Sequence, residues 1–342
     1  MKNRTRLFFA VAVGVLVLGL GTGLLASYVG QNFAIIGGNG PEALSYIPAD
    51  ARMVAFADVR DLANSELRQK MRQFEPSTDA QNKLEAETGI NIERDVDEIV
   101  AAAWAGGVGP QSPPLILARG RFDADQIETF IRQHGGTSED YKGKQLLVMA
   151  ESSHTFAVSF VEPGLVAAGE ATAVRQAIDT KASGANSVVD NAEVMKLIKD
   201  VNDGNAWAVA KFDSLAAGPF PTGALPKELA QQLPPINWLA ASGHIDGGVR
   251  GTIRVEAKDE KSAEDLRQVV RGFMALARLQ AGQRAEFSEL VNSLELGGQG
   301  TTITLGFSVP SSLIDTLGHI AQQKRQAPAV PDAAPGAAVP SL

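Results

Sequence analysis

An apolar stretch free of charge fills residues 7–29, LFFAVAVGVLVLGLGTGLLASYV, and beyond it the apolar positions switch between periods of two and of three to four. Alternation marks a half-buried strand, and a three-to-four spacing marks an amphipathic helix. Strand is therefore expected over residues 53–59, followed by helix where Leu67, Met71 and Phe74 form one stripe. A second helix over residues 79–87 stops at Thr88-Gly89, because glycine readily takes the left-handed conformation that ends a helix. Strands at 98–106 and 115–120 make a hairpin. Asp123 caps the next helix, which carries Ile127, Phe130 and Ile131 and ends at Gly135-Gly136. Strands at 145–149, 155–161 and 165–168 follow. A helix from Glu170 bears Val174, Ala177 and Ile178, and, after a loop over 182–191, Val194, Leu197 and Ile198 mark a short helix.

From Ala206 the pattern starts again. Trp207-Ala208-Val209-Ala210-Lys211-Phe212-Asp213 echoes Met53-Val54-Ala55-Phe56-Ala57-Asp58, and a proline-rich insert, Pro219 to Pro235, stands where the first half has two helices. Strands at 238–245 and 250–257 turn through Asp246-Gly247-Gly248. A long helix then places Leu266, Val269, Val270, Phe273 and Ala277 on a buried stripe, with Arg267, Arg271 and Arg278 on the other side. Strands at 290–296 and 301–309, joined through Gly297-Gly298-Gln299-Gly300, precede a last helix over about 311–323. The fold class expected is α+β: antiparallel β-hairpins with helices on one face, in two similar hairpin-helix halves, preceded by one transmembrane helix. The halves form either two lobes or one continuous sheet. The boundaries are a basic flank at 1–6, the apolar helix at 7–29, a glycine-rich linker at 30–43, halves at 44–204 and 205–324, and an Ala/Pro-rich disordered tail at 325–342.

A helix of about 23 residues rises roughly 34 Å, enough to cross a hydrocarbon core. Leu7, Phe8, Phe9, Val11, Val15, Leu18, Leu20, Leu24 and Leu25 supply the apolar surface of such an anchor. Lys2, Arg4 and Arg6 precede it, and the first acid after it is Glu42, which sets the N-terminus in the cytoplasm and the main domain outside the inner membrane. A cleaved signal peptide is the alternative, although Leu24-Leu25-Ala26 and Gly21-Thr22-Gly23 are poor cleavage sites. The expected partner of the run is the lipid bilayer.

A net charge of −8 argues against nucleic-acid binding, which needs a basic footprint. The absence of cysteine removes disulfides, thiolate nucleophiles and lipidation of a cysteine. Of the histidines, His134 suits the last turn of its helix, His154 a hairpin turn beside Ser153, His244 a strand end, and His319 a solvated helix side. No His-x-x-x-His pair and no Gly-x-Ser-x-Gly elbow is present. The acidic run Glu93, Asp95, Asp97, Glu98 lacks the central glycine of a calcium loop and reads as a solvated lead-in to a strand. Trp104, Trp207 and Trp238 fall on strands and read as core. No catalytic residue, metal ligand or cofactor is expected.

Tyr46-Ile47-Pro48-Ala49-Asp50, Thr88-Gly89-Ile90-Asn91, Arg94-Asp95-Val96-Asp97, Tyr141-Lys142-Gly143-Lys144 and Gly164-Leu165-Val166-Ala167-Ala168-Gly169 give residues 44–320 an organisation that resembles uncharacterised, membrane-anchored bacterial envelope proteins classed as a domain of unknown function. The resemblance implies no activity. The expectation is a membrane-anchored extracytoplasmic binding or structural module, meeting an envelope protein or an apolar ligand. The alternatives are a membrane-tethered hydrolase and a carrier of an apolar ligand held between the halves.

Overall fold

The computed structural model describes residues 42–74, 79–104, 114–151, 154–212, 234–281 and 285–313. The twelve residues of the predicted anchor and its basic flank named above, His319, Ser153 and nearly all of the 219–235 insert lie outside the described residues. Within them, no helix is long and apolar enough to cross a membrane.

The strands of the first half are β1 (Met53–Asp58), β2 (Val96–Ala103), β3 (Leu115–Gly120), β4 (Thr137–Tyr141), β5 (Lys144–Glu151), β6 (His154–Glu162) and β7 (Leu165–Glu170). Those of the second are β8 (Ala206–Lys211), β9 (Ile236–Ile245), β10 (Val249–Ala257), β11 (Glu295–Gly297) and β12 (Thr302–Val309). The described helices are α1 (Val59–Ala63), α2 (Glu66–Phe74), α3 (Asp79–Thr88), α4 (Ile92–Asp95), α5 (Ala124–Gln133), α6 (Ala171–Ser183), α7 (Ala192–Lys199), α8 (Glu260–Ala281) and α9 (Ala285–Asn292). A 3₁₀ turn, Glu42–Tyr46, opens the fold.

All twelve strands join one antiparallel sheet in the order β11-β12-β10-β9-β8-β1-β2-β3-β7-β6-β5-β4. The halves therefore share one continuous sheet, and β1 meets β8 at its middle with Ala55 opposite Ala208 and Phe56 opposite Trp207.

Side chains alternate across the sheet. Val54, Val100, Leu117, Leu146, Trp207 and Ala240 point to one face, called the front, and are buried there beneath the Glu42–Tyr46 turn, α6 and α7. On the back, Ala57, Ile99 and Ala118 pack against α1 and Leu67 of α2, and Leu147 and Met149 pack against Ile127, Phe130 and Ile131 of α5. Further along the same back face, Val255, Ala257 and Ile303 receive Ala263 and Leu266 of α8.

Helices thus lie on both faces, which corrects the expectation of one. The physical reason is that the first-half strands carry apolar residues at both parities, and each parity needs its own cover. A second correction concerns residues 290–296, expected as strand. Residues 285–292 are helix α9, and strand begins only at Glu295, because Phe287, Leu290 and Val291 stand at i, i+3 and i+4, a helical rather than an alternate spacing. In α8, Phe273 is 49% exposed rather than part of the buried stripe, since the helix runs on past the strands that cover Ala263 and Leu266.

Local signals held where they were strongest. Asp123 accepts a hydrogen bond from the Gln126 N–H at 3.0 Å, as an N-cap should. Lys142 and Gly143, both at positive φ, make the two-residue turn between β4 and β5.

Candidate functional site

Where β1, β2 and β3 end, the apolar front row Phe56–Val100–Leu117 gives way to a charged row, Asp58–Glu98–Arg119, each residue directly opposite the next. Arg119 sits at the centre. Its Nε donates to Glu98 Oε1 at 3.1 Å, and its Nη2 lies 3.5 Å from Glu42 Oε2 and 3.9 Å from Glu162 Oε2. The Tyr46 hydroxyl donates to Glu162 Oε1 at 2.8 Å. Lys181 of α6 approaches the same oxygen at 3.4 Å, donates to Ser45 Oγ at 3.0 Å and rests 4.9 Å from the centre of the Tyr46 ring.

Electrostatics follow from this geometry. Burial, then the hydrogen bond to Glu162, pushes the Tyr46 hydroxyl far above its usual range. Burial works against ionised Glu162, yet Tyr46, Lys181 and Arg119 together hold it below the ordinary glutamate range. Asp58 goes the other way. Burial raises it to about 6, a bond from the Asp61 N–H opposes that, and the negative charges of Asp61 and Glu98 add to it. The cluster holds no unpaired nucleophile. What it does is clasp the turn at the start of the fold, through Glu42, Ser45 and Tyr46, to β3, β6 and α6.

A concavity of about 290 Å³ opens where β9 turns into β10 beside the end of β12. His244, Asp246, Arg250, Ser308 and Ser311 line it. His244 and Arg250 face each other across β9 and β10, and Ser308 is next in that row. Residues of the Ser, His and Asp types meet here, but no hydrogen bond joins His244 to either of the other two among the described residues. Catalytic relay chemistry requires that contact.

Elsewhere the candidate residues take structural places. His134 caps the end of α5, its Nδ1 2.8 Å from the Phe130 carbonyl oxygen and its ring against Phe130. His154 opens β6 opposite Glu151. Each acid of the 93–98 run has its own arginine: Glu93 with Arg68, Asp95 with Arg94, Asp97 with Arg60 and Glu98 with Arg119. Three of these pairs staple α4 to α2 and β2 to α1 and β3, while Asp95–Arg94 lies within α4, so the run is a set of ion pairs rather than a solvated lead-in. Among the described residues no three His, Cys, Asp or Glu side chains are placed to share a metal ion. Trp207 is 2% exposed and stacks on Phe56, and Trp238 lies buried beneath Lys211 Nζ. Trp104 is only half-buried and donates its indole N–H to Asp50 Oδ1 at 2.9 Å.

Sequence reasoning missed the Arg119 cluster. Its members stand at 42, 45, 46, 98, 119, 162 and 181, so no local spacing announces them. The nearest signal was Tyr46 itself, inside a quoted motif without an assigned role.

A family model described as "Protein of unknown function (DUF3352)" matches residues 10–270. No curated protein matches the chain. A solved structure titled "Structure of crystal form I of TP0453" is similar at a TM-score of 0.44 and 11% sequence identity, covering 82% of this chain and 98% of that one.

Proposed function

We propose that this chain, which belongs to the DUF3352 family of proteins of unknown function, is a single-pass membrane protein whose sheet domain serves outside the cytoplasm as a binding or structural module. The observation that carries the reading is the charge-free run at 7–29 behind Lys2, Arg4 and Arg6. The family match begins at residue 10, inside that run. The clasp around Arg119 fits the same reading, because it secures the first turn of the domain, where a pull along the tether would arrive.

Two similar halves belong to this proposal. What supports them is the register. From the central pair Ala55–Ala208, one half runs outward through Ala55, Ala101, Ile116, Ala168 and Val158, and the other through Ala208, Ala241, Ile253, Leu305 and Leu296. In each half the third strand pairs with the last, after a helix on the back face. The halves differ in that four strands, β4 to β7, stand where the other half has β11 and β12. The β1–β8 junction is filled by Val54, Val209 and the Phe56–Trp207 stack, which favours a module acting through its surface over a carrier with a ligand between the halves.

Fractionation of cells expressing the full chain tests the anchor. The protein is expected in the membrane fraction, resistant to salt and alkaline carbonate, with the domain digested by protease once the outer envelope is opened. Release by carbonate, or a domain that stays protected, would overturn the assignment.

A further inference from the structure

Helix α8 packs on α9 as well as on the sheet, and its second part still leaves one apolar side uncovered among the described residues. Its first turns are seated: Ala263 and Leu266 are buried against Ala257 and Ile303, and Val270 packs beside them. A helix of 22 residues extends about 33 Å. Beyond Val270 it projects past the sheet, with Phe273 at 49%, Leu276 at 51% and Leu279 at 74% exposed. These are three of the four large hydrophobic residues exposed among the described residues. Val269, Phe273 and Leu276 follow one another at i, i+4 and i+7, so they share one side of the helix, next to the seated stripe, and Leu279 continues it.

We propose that this side of α8 lies on the surface of the bilayer that holds the anchor, as a second, interfacial membrane contact. The charge distribution selects that occupant. From residue 266 to 281 the helix carries Arg267, Arg271 and Arg278 and no acid, in a chain of net charge −8. Arg267 is turned inward, where it donates to the Gly300 and Thr302 carbonyls. Arg271 and Arg278 are exposed, Arg271 reaching back to Glu264 at 3.2 Å. A helix with an apolar side and arginines on the opposite, polar side is what an anionic lipid interface binds. The acidic remainder of the domain is repelled by that interface, which turns α8 toward it.

The proposal rests on the anchored reading, which supplies proximity. Between residue 29 and Glu42 lie only the residues of a short linker, whose fully extended reach is about 40 Å. A contact too weak to hold a free domain is sufficient under such a tether, because binding becomes intramolecular.

The absence of cysteine makes the test clean. The full chain carrying Leu276→Cys, labelled with an environment-sensitive dye, is reconstituted into vesicles of phosphatidylcholine mixed with phosphatidylglycerol, and into vesicles of phosphatidylcholine alone. Lys261→Cys, 85% exposed in its side chain at the polar start of the same helix, is the reference position. The expected result is quenching of the 276 dye by a lipid-borne quencher in the mixed vesicles, with the 261 dye left in water. Arg271→Gln and Arg278→Gln each lower the docked fraction about fivefold, as for a basic residue at an anionic surface. Protein that floats with the vesicles while its 276 dye stays in water overturns the docking and leaves the anchor standing. Protein that fails to float at all removes the anchor, and the docking with it. Shielding of the 276 dye that needs no lipid assigns the face to another segment of this chain. Shielding that rises with protein concentration in neutral vesicles assigns it to a second copy. Either of those two outcomes overturns the proposal.

Discussion

Strand β5 reads Leu146-Leu147-Val148-Met149 without a polar break, whereas β10 alternates Thr252-Ile253-Arg254-Val255-Glu256. In β5, Leu146 and Val148 face the front core, and Leu147 and Met149 face α5 on the back. In β10, Val255 packs under α8 at the back, while the front row of Arg254, Thr304 and Ala240 is polar from β10 outward. Arg254 answers Glu256 at 2.9 Å and Asp200, past the end of α7, at 3.1 Å. The sheet around β5 is therefore buried on both faces and the sheet around β10 mainly on one. The lesson is that a shared strand plan does not dictate a shared layer count. The parity of the apolar residues does.

The comparison breaks most readily in the two-sided part. Leu146→Ala and Leu147→Ala, at 0% and 2% exposure on opposite faces, are each expected to cost about 2–5 kcal/mol in denaturant unfolding. Thr252→Ala on the front of β10 should change stability by less than about 0.5 kcal/mol. A β5 in which one of the two leucines proves as neutral as Thr252 would contradict two-sided burial.

The joint between the halves comes next. Asn205, 6% exposed just before β8, donates through Nδ2 to Asp61 Oδ2 and to the Ile245 carbonyl, both at 2.8 Å, and accepts from the Ile245 N–H at 3.0 Å. Asn205→Ala strands buried partners and is expected to cost about 1–3 kcal/mol. An unchanged unfolding midpoint would show that the halves do not rely on this bridge.

The last effect is electrostatic. Asp58 ionises at about 6 in the fold against 3.8 for an unperturbed aspartate. Between those values the folded state holds the extra proton, so its contribution to stability is full below the lower value, falls as pH rises and is lost above about 6. Asp58→Asn keeps an oxygen to cap α1, where Asp58 now accepts from the Asp61 N–H at 2.7 Å, and removes the charge. The variant should match the parent in acid and exceed it at neutral pH. A parent-minus-variant difference that is flat across this range would mean that Asp58 is not perturbed.

Much of the fold was legible because its signals are local. The caps at Asp123 and Gly89, the second at φ +70, and the alternation of β10 each depend on a few neighbouring residues. Strand β4, Thr-Ser-Glu-Asp-Tyr, was not legible, since an exposed edge strand has no apolar alternation to display. The candidate site was less legible still. Arg119 draws Glu42 and Glu162 together from distant positions, and no window along the chain contains all three.

By itself, then, the sequence determined the local elements, the family, and the charge-free run on which the proposed anchor rests, because periodicity and charge are properties of neighbours. Only the tertiary structure decided that the halves share one sheet, that helices cover both faces, that the acids of 93–98 are paired, and that α8 projects with Phe273, Leu276 and Leu279 uncovered. Each of those depends on which distant segment arrives beside which, and a helical stripe alone does not say where its cover ends.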